Sequence, residues 1–222
     1  MTFLHQQDIN SKKIKMVVFD LDGTVADTSE GILNSHRYAH IVMGRTIPAD
    51  EILYSVIGAP LLDTYRNVFH FSDEQSTEAV RFYRSWYADQ GIKQAKLYPG
   101  MVNILQTLKR HGISAGIATL KAERFAESMM TDLGVRDYFR CIFGMNDGDT
   151  STKSELISKC MLYTGAGAEE TVMIGDSIHG FNGAQLCGVP FIGVSYGFGF
   201  RKGEEHSFIV CDNLHEITEY LI

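Results

Sequence analysis

The sequence predicts an α/β fold in which a mostly parallel sheet forms a core and an inserted segment forms a separate helical domain. Three observations lead to this prediction. Short apolar runs alternate with helix-like runs after the LYPG string that ends at Gly100, a similar apolar run occurs near residue 17, and the stretch between them is helical. Strands that alternate with helices are typical of a parallel sheet covered on both faces. We therefore predict a core of residues 1–28 and 95–222 and a helical domain of residues 29–94.

Each predicted element rests on its own pattern. The first strand contains Val17 and Val18, and the later strands are the runs ISAGIAT, RCIFG, TVMIGD, PFIGV and FIVCD. In the inserted segment the apolar residues of GILNSHRYAHIVM recur every three or four positions, and TEAVRFYRSWYADQG repeats this pattern until Gly91. This spacing predicts amphipathic helices.

Composition and charge exclude several classes of function. The 222 residues include 20 Lys and Arg against 27 Asp and Glu, and the formal net charge of -7 argues against nucleic acid polymers and anionic membranes as partners. The first thirteen residues carry no apolar signal core, and no run approaches the roughly 20 apolar residues that span a bilayer. The cysteines lie far apart, which predicts reduced thiols in a cytoplasmic protein: Cys141, Cys160, Cys187 and Cys211.

Two acids follow the first predicted strand directly. Asp20 stands at its end and Asp22 lies one residue further on, before Gly23. One carboxylate can act as a nucleophile while the other moves protons, provided that a cation offsets their mutual repulsion. Mg²⁺ prefers oxygen ligands and suits a site that handles phosphate. An isolated D-x-D string also fits a simple Asx turn with a solvated second acid, so its context decides between the two interpretations.

The string FDLDGTVADT resembles the first motif of the haloacid dehalogenase superfamily, most of whose members are phosphatases. The strings VIGAPLLDTYR, LYPGM, GIATLKAERFAE and VMIGDSIHGFNGAQLCGVPFIGVSYGFG are similar to the phosphoglycolate phosphatase and 5'-nucleotidase-like branch, so the resemblance covers nearly the whole chain. It implies a Rossmann-like parallel-sheet core and an inserted helical cap domain that closes over the active site.

The resemblance also assigns the second and third motifs. Thr119 of GIATLKA would bond a phosphoryl oxygen, with Leu120 beside it at the substrate, and Lys153 of DTSTKSELI would neutralise the charges of the nucleophile and the phosphate. A Thr at a strand end is otherwise usually a cap, and a single Lys is usually solvated. Lys121 competes with Lys153 for the third role, but the matching position in relatives belongs to the loop of the second motif.

The fourth motif departs from the pattern of the family. Asp176 is the metal ligand that the resemblance implies, but Gly180 stands where related phosphatases commonly have a second Asp, and Gly175 stands where others have a Glu. The implied protein ligands of Mg²⁺ are then Asp20, the Asp22 backbone carbonyl and Asp176, with waters and phosphate completing the shell. An acid restored at Gly180 is expected to tighten Mg²⁺ binding if its loss weakens the site.

Two residues of the helical domain are implied to face the substrate. Gly58 lies in a Gly-Ala-Pro turn, and Arg66 on the following helix would bind a carboxylate or a second phosphate of the substrate. The turn equally fits ordinary helix punctuation, and Arg66 equally fits a solvated helix face.

The implied activity is Mg²⁺-dependent hydrolysis of a phosphomonoester through an aspartyl phosphate on Asp20, with Asp22 as general acid and base. A small phosphorylated metabolite is the expected substrate, either phosphoglycolate or a nucleoside monophosphate, and the protein is expected to be a monomer or a homodimer. Two alternatives stay open. A phosphosugar mutase uses the same acid pair, and a catalytically weak phosphate-binding regulatory protein would explain the glycines at 175 and 180.

Overall fold

The computed structural model describes residues 13–145 and 150–222. The first twelve residues, which belong to the segment without a predicted signal core, lie outside this range. Within the described ranges, every helix is too short or too polar to cross a bilayer. The chain forms two compact units, one that ends at Ala26 and resumes at Leu97, and a second that spans Asp27–Lys96. The boundaries predicted for the helical domain were 29–94.

The larger unit is built on a six-stranded parallel sheet in the order β5-β4-β1-β6-β7-β8. Numbered along the whole chain, the strands are β1 (Met16–Phe19), β2 (Ala26–Asp27), β3 (Lys96–Leu97), β4 (Ser114–Ala122), β5 (Phe139–Met145), β6 (Thr171–Gly175), β7 (Phe191–Val194) and β8 (Ile209–Cys211). The predicted α/β class and all six predicted sheet strands are confirmed. Strands β2 and β3, where the chain passes between the two units, pair with each other.

The helices are α1 (Ser29–Val42), α2 (Asp50–Ser55), α3 (Leu61–Asp63), α4 (Asp73–Asp89), α5 (Met101–Arg110), α6 (Glu123–Asp132), α7 (Lys153–Thr164), α8 (Ile178–Leu186) and α9 (Leu214–Leu221). A π-helical turn, Thr64–Val68, continues α3. Helix α7 begins at Lys153 because Thr152 and Glu155 form a capping box: the Thr152 hydroxyl accepts the Glu155 N–H, and the Glu155 carboxylate accepts the Thr152 N–H.

Strand β1 lies in the middle of the sheet, between β4 and β6. All four of its residues are buried, which explains why the strand is apolar throughout rather than alternating. Since its neighbours run parallel to it, the carboxyl ends of the three strands meet at one edge of the sheet. Ligands bind at this edge in open α/β sheets.

The helical unit buries two histidines of α1 among aromatic rings. His36 Nδ1 lies 3.1 Å from the Tyr65 hydroxyl oxygen, and the His36 ring centroid is 4.6 Å from that of Tyr83. His40 lies one turn further along α1, with its ring 4.8 Å from that of Phe69. Burial lowers the pKa of His36 to about 3, and it also lowers the pKa of His40. Both histidines are therefore neutral in the folded chain near pH 7.

Candidate active site

Two hydrogen bonds of Asp20 and the backbone conformation of Gly23 shape the turn that follows β1. The Asp20 N–H donates to the Ile174 carbonyl at 2.8 Å, and Asp20 Oδ1 accepts the Leu21 N–H at 2.8 Å. Gly23 has a φ of +77°, and a Cβ added there would lie 2.1 Å from Asp176 Oδ2. Glycine is thus required for two reasons, the left-handed backbone and the close approach of the Asp176 carboxylate.

Each acid of the first motif has its own lysine. Lys153 Nζ lies 2.6 Å from Asp20 Oδ1 and also donates to the Ala118 carbonyl at 2.8 Å. Lys121 Nζ lies 2.9 Å from Asp22 Oδ1. The side chains are 6% and 11% exposed in the first pair and 8% and 13% exposed in the second. Pairing of opposite charges offsets part of the cost of removing these groups from water.

Thr119 is buried on the neighbouring strand β4, and its Oγ1 accepts the Lys121 N–H at 3.1 Å. Thr119 is predicted from the sequence to end a strand, but β4 continues for three more residues to Ala122. The pairing register between β4 and β5 shifts between Ala118 and Ala122, so the strand is irregular at Thr119. Leu120, the other residue predicted to lie at the substrate, is half-buried.

Asp176 follows β6 and is 3% exposed. Its Oδ2 accepts the Phe198 N–H at 2.8 Å. Burial raises the pKa of Asp176 to about 7, and the negative charge of Asp20 adds to this rise, against the opposing effects of the Phe198 N–H and Lys153. The raised pKa of Asp176 thus reflects its burial first and the nearby Asp20 carboxylate second.

The donor set at this edge suits a hard divalent cation. Asp20 and Asp176 offer two buried carboxylates, and a bound cation would offset both the burial and the mutual repulsion that raise the pKa of Asp176. Among the described residues there is no group of three or more His, Cys, Asp and Glu side chains arranged to hold a metal. Mg²⁺ tolerates so few protein ligands because it usually keeps several of its waters.

A phenylalanine packs where the fourth motif lacks its acids. A Cβ added at Gly180 would lie 3.2 Å from Cε2 of Phe191, and one added at Gly175 would lie 3.3 Å from the same atom and 3.7 Å from the Asp20 Cβ. Phe191 is held in an aromatic cluster, with ring centroids 5.7 Å from Phe181 and 5.0 Å from Phe208. The space beside both glycines is thus apolar and filled.

The two predicted substrate residues of the helical unit have local roles in the structure. Gly58 has a φ of +84°, and this left-handed conformation favours glycine whether or not the turn contacts a substrate. Arg66 lies in the π-helical turn, and its Nε is 2.8 Å from Asp73 Oδ1. Its side chain is 38% exposed. Their contact with substrate stays a prediction.

Sequence reasoning missed two contacts of the site. Phe198, which donates its N–H to Asp176, lies in the SYGFGF segment after β7, where the resemblance assigned no role. A Cβ added at Gly197 would lie 2.4 Å from the Asp176 Cβ, so the glycine-rich segment is a signal of close backbone approach. Lys121 was weighed only as a rival of Lys153, whereas the structure gives each lysine a different acid.

Two curated relatives share most of this chain. A 5'-nucleotidase from Pseudomonas aeruginosa PAO1 is 35% identical over 184 residues, which are 82% of this chain and 83% of the relative. The tyrosine-protein kinase PtkA from Mycobacterium tuberculosis H37Rv is 30% identical over 186 residues, which are 83% of this chain and 63% of the kinase.

Structural comparison and a family model agree with these relatives. A haloacid dehalogenase-like family hydrolase from Streptococcus pneumoniae superposes with a TM-score of 0.86 and 27% identity, covering 95% of this chain and 99% of that one. The model of the haloacid dehalogenase-like hydrolase family matches residues 17–194, which include the ends of β1, β4 and β6 and the start of α7. These matches confirm the resemblance in the sequence, and the chain belongs to the haloacid dehalogenase-like hydrolases.

Proposed function

We propose that this protein is a Mg²⁺-dependent phosphomonoesterase that acts on a small phosphorylated metabolite, phosphoglycolate or a nucleoside monophosphate, through an aspartyl phosphate. The observation that carries the proposal is the buried Asp20, bonded to Lys153 and electrostatically coupled to Asp176 at the edge where the three central strands end. The P. aeruginosa relative named 5'-nucleotidase supports the substrate class.

Asp20 is the nucleophile in this proposal. A carboxylate oxygen of Asp20 bonds to phosphorus as the bond from phosphorus to the ester oxygen breaks, and Lys153 neutralises charge on both the nucleophile and the phosphoryl group. The Thr119 hydroxyl would donate to a phosphoryl oxygen while its own oxygen accepts the Lys121 N–H. This arrangement stabilises the transferred group by fixed charges and dipoles.

Asp22 is the general acid and the general base in this proposal. Its carboxyl group donates a proton to the leaving alcohol oxygen in the first step, and the resulting carboxylate takes a proton from the water that hydrolyses the acyl phosphate. Asp20, Asp176 and the backbone carbonyl of Asp22 would hold Mg²⁺, which when bound supplies positive charge next to the nucleophile and the phosphate.

The other expectations from the sequence remain part of the proposal. They are a cytoplasmic location, a monomer or homodimer, and a helical unit that selects the substrate through Gly58 and Arg66. A phosphosugar mutase would move the phosphoryl group to an acceptor other than water, and the relative named a tyrosine kinase makes such transfer a reaction to test. A regulatory protein would bind the ester without turning it over.

The deciding experiment measures phosphate release from p-nitrophenyl phosphate with and without Mg²⁺, for the wild type and Asp20→Asn. We expect Mg²⁺-dependent release that falls by at least about 1,000-fold in the variant, because the nucleophile is lost. The matched control is Asp132→Asn, an exposed aspartate at the end of α6. Turnover near the wild-type rate in Asp20→Asn would overturn the mechanism. Stoichiometric release of phosphate per ester consumed would exclude transfer to another acceptor.

A further inference from the structure

Lys121 is bonded to two of the proposed catalytic groups at once. Its backbone N–H donates to Thr119 Oγ1 at 3.1 Å, and its Nζ lies 2.9 Å from Asp22 Oδ1. The side chain is 8% exposed, which is unusual for a lysine and means that the ammonium group is largely removed from water. Such a buried lysine is held in place by its partner rather than by solvent.

The geometry separates the two acids of the first motif. Lys153 engages Oδ1 of Asp20, and Lys121 engages Oδ1 of Asp22, so each carboxylate is fixed by a different cation. Without Lys121, the Asp22 carboxylate would lose a buried partner of opposite charge. A general acid must hold its proton within hydrogen-bond distance of the leaving oxygen, so its orientation matters as much as its acidity.

We propose that Lys121 is the positioning residue of the acid and base Asp22, an inference that rests on the phosphatase function proposed above. Lys121 holds Oδ1 of the Asp22 carboxylate and so fixes the orientation of this group toward the leaving alcohol. When the Asp22 carboxyl group gives its proton to the ester oxygen, Lys121 stabilises the negative charge that remains on Asp22. The same contact keeps the carboxylate in place to accept a proton from water in the second step.

The leaving group provides the test. An aliphatic alcohol needs a proton as it departs, whereas p-nitrophenolate leaves without one. We would measure kcat/KM, which reports the first chemical step, for p-nitrophenyl phosphate and for the fastest substrate among AMP, 2-phosphoglycolate and glycerol 1-phosphate. The variants are Lys121→Met, Lys121→Arg, Asp22→Asn and the double variant Lys121→Met with Asp22→Asn. Lys159→Met, an exposed lysine on α7, is the matched control.

We expect Lys121→Met to lower kcat/KM for the aliphatic ester by about 10- to 100-fold, part of what a general acid supplies, and for p-nitrophenyl phosphate by less than about 3-fold. Lys121→Arg should recover part of the loss. The double variant should lose no more than Asp22→Asn alone, because the two residues act as one unit.

Three results would overturn the inference. Equal losses for both esters would mean that Lys121 binds the phosphate itself. Losses that multiply in the double variant would mean that Lys121 acts independently of Asp22. A wild type that hydrolyses p-nitrophenyl phosphate but none of the aliphatic esters would have no use for a positioned acid. In each case loss of turnover in Asp20→Asn would still support the phosphatase, whereas a folded wild type that releases no phosphate from any ester would overturn both proposals.

Discussion

The two units both bury titratable side chains, but they do so in opposite ways. The core unit buries charged groups in pairs, Lys153 with Asp20 and Lys121 with Asp22. The helical unit buries His36 and His40, and burial lowers the pKa values of both below 6.5, to about 3 for His36. Their partners are aromatic rings and hydroxyl or carbonyl groups rather than counterions.

This difference distinguishes the residues that we propose for catalysis from the histidines that pack in the core of the helical unit. Burial of a neutral polar group costs little free energy once the group is hydrogen-bonded. The two histidines can therefore pack as polar members of the apolar core of the helical unit. Buried ion pairs are often no better for stability than apolar residues of the same size. We therefore interpret the ion pairs as part of the proposed catalytic site rather than as a source of stability. Substitutions should affect activity in the first region and pH-dependent stability in the second.

Removing the amine of Lys153 should have the largest effect, because it breaks the charge balance of the core unit. Lys153→Met keeps the side-chain stem, which packs against Gly183, but leaves the buried Asp20 carboxylate unpaired. We expect the free energy of unfolding to fall by about 3 kcal/mol or more, and phosphatase turnover to fall by at least about 100-fold. Urea denaturation and p-nitrophenyl phosphate hydrolysis measure the two effects.

The double variant with Asp20→Asn sharpens this prediction. Once the carboxylate is neutral, loss of the lysine should cost clearly less stability than it does in the wild-type background. Equal costs in both backgrounds would show that the ion pair does not couple the two residues. Lys159→Met controls for removal of a lysine from the same helix.

Acidification should destabilise the helical unit, because its buried His36 must bind a proton on unfolding. The folded pKa is about 3 and the ordinary value is 6.5, so the stabilisation is complete above pH 6.5 and is lost as the pH falls toward 3. Between pH 6.5 and 5 the free energy of unfolding should drop by about 2 kcal/mol from His36 alone. The lowered pKa of His40 acts in the same direction.

The comparison of wild type with His36→Gln isolates this contribution. Trp86, the single tryptophan, lies on α4 and reports unfolding of the helical unit by its fluorescence. Urea denaturation at pH 7 and pH 5 should show a smaller loss in His36→Gln than in the wild type, while exposed His179→Gln should match the wild type. The same pH slope in all three proteins would show that His36 is not the group that titrates.

The positions of the charged residues at the strand ends are easier to predict from the sequence than the burial of His36 and His40, for a physical reason. Asp20, Asp176 and Lys153 stand next to strand ends or a helix start, so local patterns and their order along the chain locate them. The parallel sheet then brings them to one edge without further information. The histidines of α1 follow the same helical period as any core residue, so their burial depends on which rings Thr64–Val68 and α4 present to them.

Contacts between distant segments are the part that the sequence could not supply. Lys121 and Asp22 are 99 positions apart in the chain, and the sequence around either residue does not indicate that the two form an ion pair. Phe198 bonds to Asp176 through its backbone, so its side-chain identity carries no signal. The ring of Phe191 beside Gly175 and Gly180 likewise appears only once β6, α8 and β7 are packed together.

Gly180→Asp should have the smallest effect of these substitutions. It tests whether the charged region formed by Asp20 and Asp176 extends to α8. The sequence alone suggests that Gly180→Asp restores a missing acid and tightens Mg²⁺ binding. The structure leads to a different expectation, because the new Cβ would lie 3.2 Å from Phe191 and 3.7 Å from Cε of Met173, on the apolar side of α8. The added Cβ would therefore press on the Phe191 ring. We expect the free energy of unfolding to fall by about 1 kcal/mol and the Mg²⁺ concentration that gives half-maximal thermal stabilisation to stay unchanged.

Gly180→Ala separates the two causes of that loss, since it adds the same Cβ without the charge. A similar loss in both variants would assign the effect to the Phe191 ring, and a larger loss in Gly180→Asp would add the burial of an unpaired carboxylate. A lower Mg²⁺ midpoint in Gly180→Asp alone would contradict the prediction. It would mean that the Phe191 ring moves aside and that the charged region extends to α8. An unchanged midpoint would instead place the limit of that region at Asp20 and Asp176, with the aromatic cluster of Phe181, Phe191 and Phe208 as its apolar boundary.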